Sequence, residues 1–378
     1  MILWDLTRLV SGRKRHIQLT LAFLITCVFV LAMKLFSGSP DEAVEFRGQG
    51  LVLTPETAAD RLSSDSSRIS PIPSDLRLSL LMIYTNAKSS HDKLSSQLRT
   101  AVHSLLSHTN QSLDLYLICD PPSWTIAQTI LQEITPLAES DLNPMLIDYA
   151  NVSVLVESRL SSSFRSLFRH SDQSYYGSAI FFASLILPFL PELRSLSHLI
   201  VLDSDIRLRG DIRELWRQFD QFSSEHLFGL AHEMQPVYRH ILSVYRSQHP
   251  ESRLGDPPPE GWPGFNAGVL LLRLDRLRAS TEYQRFLSDT ADSKLSAVGQ
   301  LAAHYTFKGH LGDQDFYTLL SFERSQWFYV LPCVWNRQLC RWWAEHGYAD
   351  VGPLYSRCQP SEAVKLLHGN CGTPFPSP

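Results

Sequence analysis

HLIVLDSDIRL, residues His198–Leu208, runs an unbroken apolar stretch into two aspartates separated by a single residue. His198–Leu202 lacks polar alternation, the pattern of a strand covered on both faces, as in parallel sheets. Upstream, the same pattern recurs at Leu78–Tyr84 (LSLLMIY), at Leu113–Cys119 (LDLYLIC) and at Val152–Val156. Helical patterns fall between them, over Lys93–Leu106, Trp124–Ile134 and Tyr175–Leu190. This β-α-β-α order predicts an α/β fold around a mostly parallel central sheet. Sheets of that kind place ligands beyond the carboxyl ends of their strands, at a topological switch point. Each strand end is therefore a candidate site.

The carboxylates of Asp203 and Asp205, flanking Ser204, are poorly placed for ordinary surface solvation at the exit of an apolar strand. Next-but-one residues on extended backbone project to one side, so both can grip one hard cation, with Mg²⁺ or Mn²⁺ suited to oxygen ligands. A solvated turn is the plain alternative for a D-x-D triplet, and strand-end position favours chemistry. Phe265-Asn266-Ala267-Gly268 leads into a further apolar strand, Val269–Leu274; small residues there let a ligand approach the backbone, or simply make a tight turn. Gly312-Asp313-Gln314-Asp315-Phe316 opens a predicted helix, where an Asp is ordinarily a cap. His368-Gly369-Asn370 follows the apolar run Val364–Leu367; as a third ligand, an imidazole suits Mn²⁺ better than Mg²⁺. Trp262, Trp335, Trp342 and Trp343 offer faces for sugars, although core packing is the usual fate of any one of them.

At the N-terminus, Ile17–Met33 carries no charge and, with Leu35 and Phe36, covers a hydrocarbon core of about 30 Å. Arg8, Arg13, Lys14 and Arg15 precede it, which predicts a cytosolic tail over 1–16, a signal-anchor span over 17–36 and a luminal remainder. Residues 37–75 are rich in Ser, Asp, Pro and Gly and read as a flexible stem before a catalytic domain over 76–378. Two sequons, at Asn110 and Asn151, agree with a luminal domain. Cys333, Cys340, Cys358 and Cys371 crowd the C-terminal part without any C-x-x-C pair, which favours two disulfides over a zinc site and leaves three pairings open. Cys119, at a strand end, is expected as a buried free thiol. A net charge of −4 excludes a field that would hold a nucleic-acid polymer.

Taken together, HLIVLDSDIRL, FNAGV (Phe265–Val269), GDQDF (Gly312–Phe316) and LLHGN (Leu366–Asn370) resemble, in order, the motifs of the retaining glycosyltransferases of family eight. AHEMQPVY (Ala231–Tyr238), GWPGFNAGVLLL (Gly261–Leu272) and the HGNCGTP tail are similar to its xylosyltransferase branch. The resemblance implies a GT-A fold in which Asp203, Asp205 and His368 hold Mn²⁺, with Mg²⁺ a weaker substitute. It implies nucleotide or donor contacts from Tyr84, Thr85, Asn86, Ser204, Asn266 and Asn370, a donor-sugar contact from Asp313, and Gln314 on the sugar's β face. Acceptor contacts are expected from Trp262, His232 and Gln235. The implied reaction transfers xylose from UDP-xylose, in α-1,3 linkage, to a xylosyl-glucose glycan on EGF-like repeats, at the endoplasmic reticulum membrane. Competing expectations are transfer of another UDP-sugar (glucose or galactose), a metal-dependent luminal hydrolase, and a non-catalytic luminal carbohydrate-binding membrane protein. One departure stands out. Many family members carry a lysine after the His-Gly pair; here HGNCGTPF has none, so charge on the leaving diphosphate would be met by Asn370 or by an arginine elsewhere.

Overall fold

The computed structural model describes residues 76–376 except 139, 170–177, 289–295, 356–357 and 359–362. The tail, span and stem assigned to 1–75 lie outside the described residues. Among those described, no helix is long and apolar enough to cross a membrane.

Seven strands form the central sheet: β1 (Leu78–Ile83), β2 (Leu113–Cys119), β3 (Leu142–Asp148), β4 (His198–Leu202), β6 (Phe228–His232), β7 (Phe265–Arg273) and β8 (Phe328–Val330). Their spatial order is β3-β2-β1-β4-β7-β6-β8. Every pairing is parallel except the two made by β7, so the sheet is mostly parallel with one reversed strand. A second, three-stranded sheet sets β10 (Leu366–His368) between β5 (Ile206–Leu208) and β9 (Arg337–Gln338).

The central strands are apolar throughout because helices cover both faces. Leu78, Leu80, Leu115, Leu117 and Ile200 are fully buried, each removal from water contributing about 2 kcal/mol. The helices Lys93–Leu106 and Pro121–Ile134 are started by Asp92 and Asp120, whose side chains accept from the backbone N–H of Ser95 and Ser123.

Two expectations need correction. Val152–Val156 is not a strand: it lies in the helix Tyr149–Arg159, capped by Asp148. Val152 and Val156, four apart, are both buried while Val154 between them is 66% exposed, which is a helical face and not a buried strand. The third strand is Leu142–Asp148, an edge strand with Asn143, Pro144 and Leu146 exposed, so it shows no apolar run. Tyr175–Leu190 is not one helix either. Of its described part, Ala183–Ile186 is α-helical between two 3₁₀ turns, and Pro188 breaks the pattern.

Candidate active site

The order of the sheet reverses between β1 and β4, and both strands end at that point. β1 ends at Tyr84-Thr85-Asn86. Tyr84 is buried, its hydroxyl 2.6 Å from Ser95 Oγ, so only Thr85 and Asn86 face outward. Asn86 takes φ +61° and its N–H donates to Asp120 Oδ2 at 2.6 Å, which fixes this turn.

Asp203 follows the end of β4, and Ser204-Asp205 form the bend that leads into β5. What brings them together is the second sheet. His368 pairs opposite Ile206, and the N–H of Gly369 donates to the Asp205 carbonyl at 2.7 Å. His368 Nε2 then lies 3.4 Å from Asp203 Oδ2 and 3.4 Å from Asp205 Oδ1. The imidazole is 3% exposed and Asp203 is 56% exposed, so the cluster opens to solvent on one side. One donor atom from each residue lies within 4.8 Å of the others. Two carboxylate oxygens and one imidazole nitrogen fit a divalent cation such as Mn²⁺.

Electrostatics bind the three residues to each other. Burial opposes charge on His368, but hydrogen bonds to Asp203 and Asp205 outweigh it and push the imidazole up to about 10. Burial likewise works against the Asp205 carboxylate, yet the bond and charge of His368, with a smaller effect from Lys93, hold it below the usual range.

β7 reaches this point because it is reversed: its first residues, and not its last, sit beside the end of β4. The N–H of Asp203 donates to the Gly268 carbonyl at 2.9 Å. A Cβ on Gly268 would stand 2.1 Å from His368 Cε1, so glycine is what lets the ring in. Asn266 is buried with its amide spent inside the protein. Its Oδ1 accepts from the Gly268 N–H and from Asn336 Nδ2, and its Nδ2 donates to Glu233. It holds the site together from within.

Gly312 at φ +68° turns the chain into the helix Asp313–Ser321. Asp313 accepts from the Ser184 hydroxyl, which is also 2.8 Å from the Tyr317 hydroxyl. Burial lifts Asp313 to about 7, aided by the charge of Asp203 and opposed by the Ser184 bond. Gln314 Oε1 accepts from the Ala267 N–H at 3.1 Å, while its Nε2 donates to Glu233 Oε2 and Tyr238 Oη at 3.3 Å each. The amide is thus clamped in one orientation. Burial also lifts Glu233 to about 7.

Along the other rim, the half-buried His232 stacks on Phe265 (centroids 5.4 Å apart) and meets the edge of Trp262. Burial drops its imidazole to about 4. Trp262 Nε1 donates to Ser321 Oγ at 2.8 Å, and Gln235 Nε2 donates to the Met234 carbonyl. Asn370 Oδ1 accepts the N–H groups of Leu339 and Cys340 at 3.0 and 2.9 Å, so it fastens the tail. The cation that stands at this loop is Lys93: a Cβ on Gly372 would lie 2.9 Å from its Nζ. Sequence reading missed Lys93 because it belongs to a distant helix start. Glu233 lay inside the quoted AHEMQPVY stretch with no role assigned to it, and Ser184 and Asn336 carried no motif signal.

The four clustered cysteines pair as Cys333–Cys358 and Cys340–Cys371, and Cys119 is a buried free thiol.

A mostly parallel sheet with an acidic pair and an imidazole at its switch point is the arrangement of a GT-A-like transferase of nucleotide-activated sugars. The chain belongs to glycosyltransferase family 8, whose sequence model, "Glycosyl transferase family 8", matches residues 91–338. It is 40% identical over 304 residues to mouse xyloside xylosyltransferase 1, covering 79% of this chain and 74% of that protein. To the human protein of the same name it is 39% identical over 305 residues, covering 79% and 74%. The crystal structure of the mouse protein in its apo form superposes with a TM-score of 0.71 at 39% identity, over 80% of this chain and all of that one. The family match starts after Thr85 and Asn86 and stops before His368, so both flanks of the site lie outside it.

Proposed function

We propose that this enzyme transfers xylose from UDP-xylose, with retention and in α-1,3 linkage, to a xylosyl-glucose glycan on EGF-like repeats. The observation that carries the catalytic reading is the convergence of Asp203, Asp205 and His368 beside the clamped Gln314. The names of the mouse and human relatives support xylose as the sugar and a xyloside as the acceptor. Asp203, Asp205 and His368 are the residues that would hold Mn²⁺. When bound there, the ion supplies positive charge against the leaving diphosphate.

Thr85 and Asn86 line the nucleotide end of the cleft. Lys93 stands beside it as a second source of positive charge, in the role that a lysine in the tail would otherwise fill. Asp313 accepts a donor-sugar hydroxyl. Gln314, neutral and held by three hydrogen bonds, packs against the β face of the sugar and is no nucleophile. We read the reaction as same-face substitution, with a covalent glycosyl-enzyme through Asp313 as the alternative. The bond from the anomeric carbon to the diphosphate oxygen breaks, the acceptor oxygen bonds to that carbon from the same side, and the acceptor proton passes to the diphosphate. His232, Gln235 and Trp262 form the wall on the acceptor side.

A membrane-anchored enzyme of the endoplasmic reticulum, with tail 1–16, span 17–36 and stem 37–75, is supported by the uncharged run, its basic flank and the two disulfides. Both sequon asparagines are exposed, as acceptors of luminal glycans must be.

The decisive measurement is transfer from a panel of UDP-sugars to glucosylated and xylosyl-glucosylated repeats, with Mn²⁺ or with chelator. Asp205→Asn is expected to lower turnover by a factor of about 10³ or more while the thermal transition persists. Near-normal turnover by that variant would refute the assignment.

A further inference from the structure

Between the imidazole and the glutamine runs an unbroken string of buried amides. His368 Nδ1 lies 3.0 Å from Asn336 Oδ1; Asn336 Nδ2 donates to Asn266 Oδ1 at 2.9 Å; Asn266 Nδ2 donates to Glu233 Oε2 at 3.1 Å; and Gln314 Nε2 donates to that same oxygen at 3.3 Å. Asn336, Asn266, Glu233 and His368 are each at most 5% exposed. The string has a direction, and Glu233 Oε2 and the Gly268 N–H set it together. Glu233 Oε2 takes amide nitrogens from both Asn266 and Gln314 and so accepts in either protonation state, any proton of the carboxyl lying on Oε1; Asn266 must then turn its nitrogen to Glu233 and its oxygen to Asn336. Asn336 must then turn its nitrogen to Asn266 and its oxygen to His368. The imidazole therefore carries a proton on Nδ1, and Nε2 is the atom aimed at Asp203 and Asp205. The Gly268 N–H, donating to Asn266 Oδ1, enforces the same choice.

The geometry points to Glu233 as the positioning residue at the root of this relay, orienting the Gln314 amide directly and the His368 ring through Asn266 and Asn336. This rests on the transferase reading of the same site and adds residues to it. Glu233 leaves its Oε1 buried without a hydrogen-bond partner among the described residues. Its other oxygen takes two amide nitrogens that an apolar side chain would strand, and through them it orients two distant groups. Partners behind a metal-ligating imidazole characteristically affect metal affinity by about 10- to 100-fold.

The test uses the full chain with Glu233→Gln, Glu233→Leu and Asn336→Leu, each checked for a cooperative thermal transition. Mn²⁺ affinity is read by electron paramagnetic resonance, kcat and KM with UDP-xylose, and the His368 ring nitrogens by ¹⁵N resonance in metal-free protein. Glu233→Gln keeps an accepting oxygen and should stay within about threefold of the parent. Glu233→Leu should weaken Mn²⁺ binding by about tenfold, lower kcat more than it raises KM, and shift the Nδ1 resonance although residue 233 does not touch the ring. Asn336→Leu should weaken Mn²⁺ binding at least as much. A folded Glu233→Leu chain with unchanged Mn²⁺ affinity, kcat and Nδ1 resonance would overturn the relay. Failure of the parent itself to bind any divalent cation would instead overturn the metal reading, and the Nδ1 resonance would still decide the relay.

Discussion

Gly268 and His368 share one volume. The ring lies where a side chain on residue 268 would project, with its Cε1 2.1 Å from the position of a Cβ, and its neighbours on both sides are fixed by backbone pairing. A methyl group at 268 has no direction in which to relax except by moving the imidazole. Gly268→Ala is therefore expected to fold, with β7 intact, and to lose at least tenfold in Mn²⁺ affinity and in kcat. Isothermal titration with Mn²⁺ beside a thermal melt would check it; unchanged affinity would mean that the ring position is unimportant for the ion. At this scale the aspartates, Gln314 and His368 were legible because each sits at the end of an apolar run or the start of a helix. Glu233, Asn336 and Ser184 were not, since a single amide, hydroxyl or carboxylate has no periodicity to mark it, even where, as for Glu233, the stretch around it was recognisable. Lys93 was invisible for a different reason: its importance comes from where the helix starts relative to a tail far along the chain.

Elements explain how the tail comes to the site. β10 is only three residues long and pairs on one side with β5, which follows the aspartates, and on the other with β9. Two links hold it there: the Asn370 oxygen on the Leu339 and Cys340 N–H groups, and the disulfide from Cys340 to Cys371. Cutting that bridge in a Cys340→Ser/Cys371→Ser double variant should lower stability by about 2–4 kcal/mol, the scale for a loop of this size. It should also weaken Mn²⁺ binding, because the ligand strand loses its anchor. A melt and a metal titration on one sample distinguish this from a purely global effect, in which affinity would not change. Strands β1, β2 and β4 could be read from sequence because both their faces are covered. β3 could not, because an edge strand with Pro144 and exposed polar residues looks like a loop, while the neighbouring valines look like a strand.

Across the whole molecule, two buried carboxyls, Glu233 and Asp315, and the half-buried Asp313 set a pH dependence. Burial lifts Glu233, Asp313 and Asp315 to about 7 each. In the unfolded chain such groups release their protons near pH 4. Between about pH 4 and 7 the folded state thus holds more protons, so their contribution to stability is complete at the acid end and drains as pH rises to about 7. His198 and His232, dropped by burial to about 4, act in the opposite sense by favouring the fold as pH rises to about 6.5. The difference between variants isolates one carboxyl. Asp315 accepts the N–H groups of His310 and Leu311 through Oδ2, and an asparagine retains that acceptor. In urea unfolding at pH 5 and 7.5, the parent should lose stability relative to Asp315→Asn as pH rises; parallel profiles would contradict the burial argument.

The three residues that would hold the ion come from far apart along the chain: two from the bend after β4, one from β10. An unfolded chain keeps them apart and offers the ion at most the aspartate pair, so occupancy favours the folded form by about 2.7 kcal/mol when free ion stands at a hundred times its dissociation constant. Scarcity of such a divalent ion would then thin the enzyme's population through clearance of opened molecules as well as slow each surviving copy, and the protein level would itself report the ion supply.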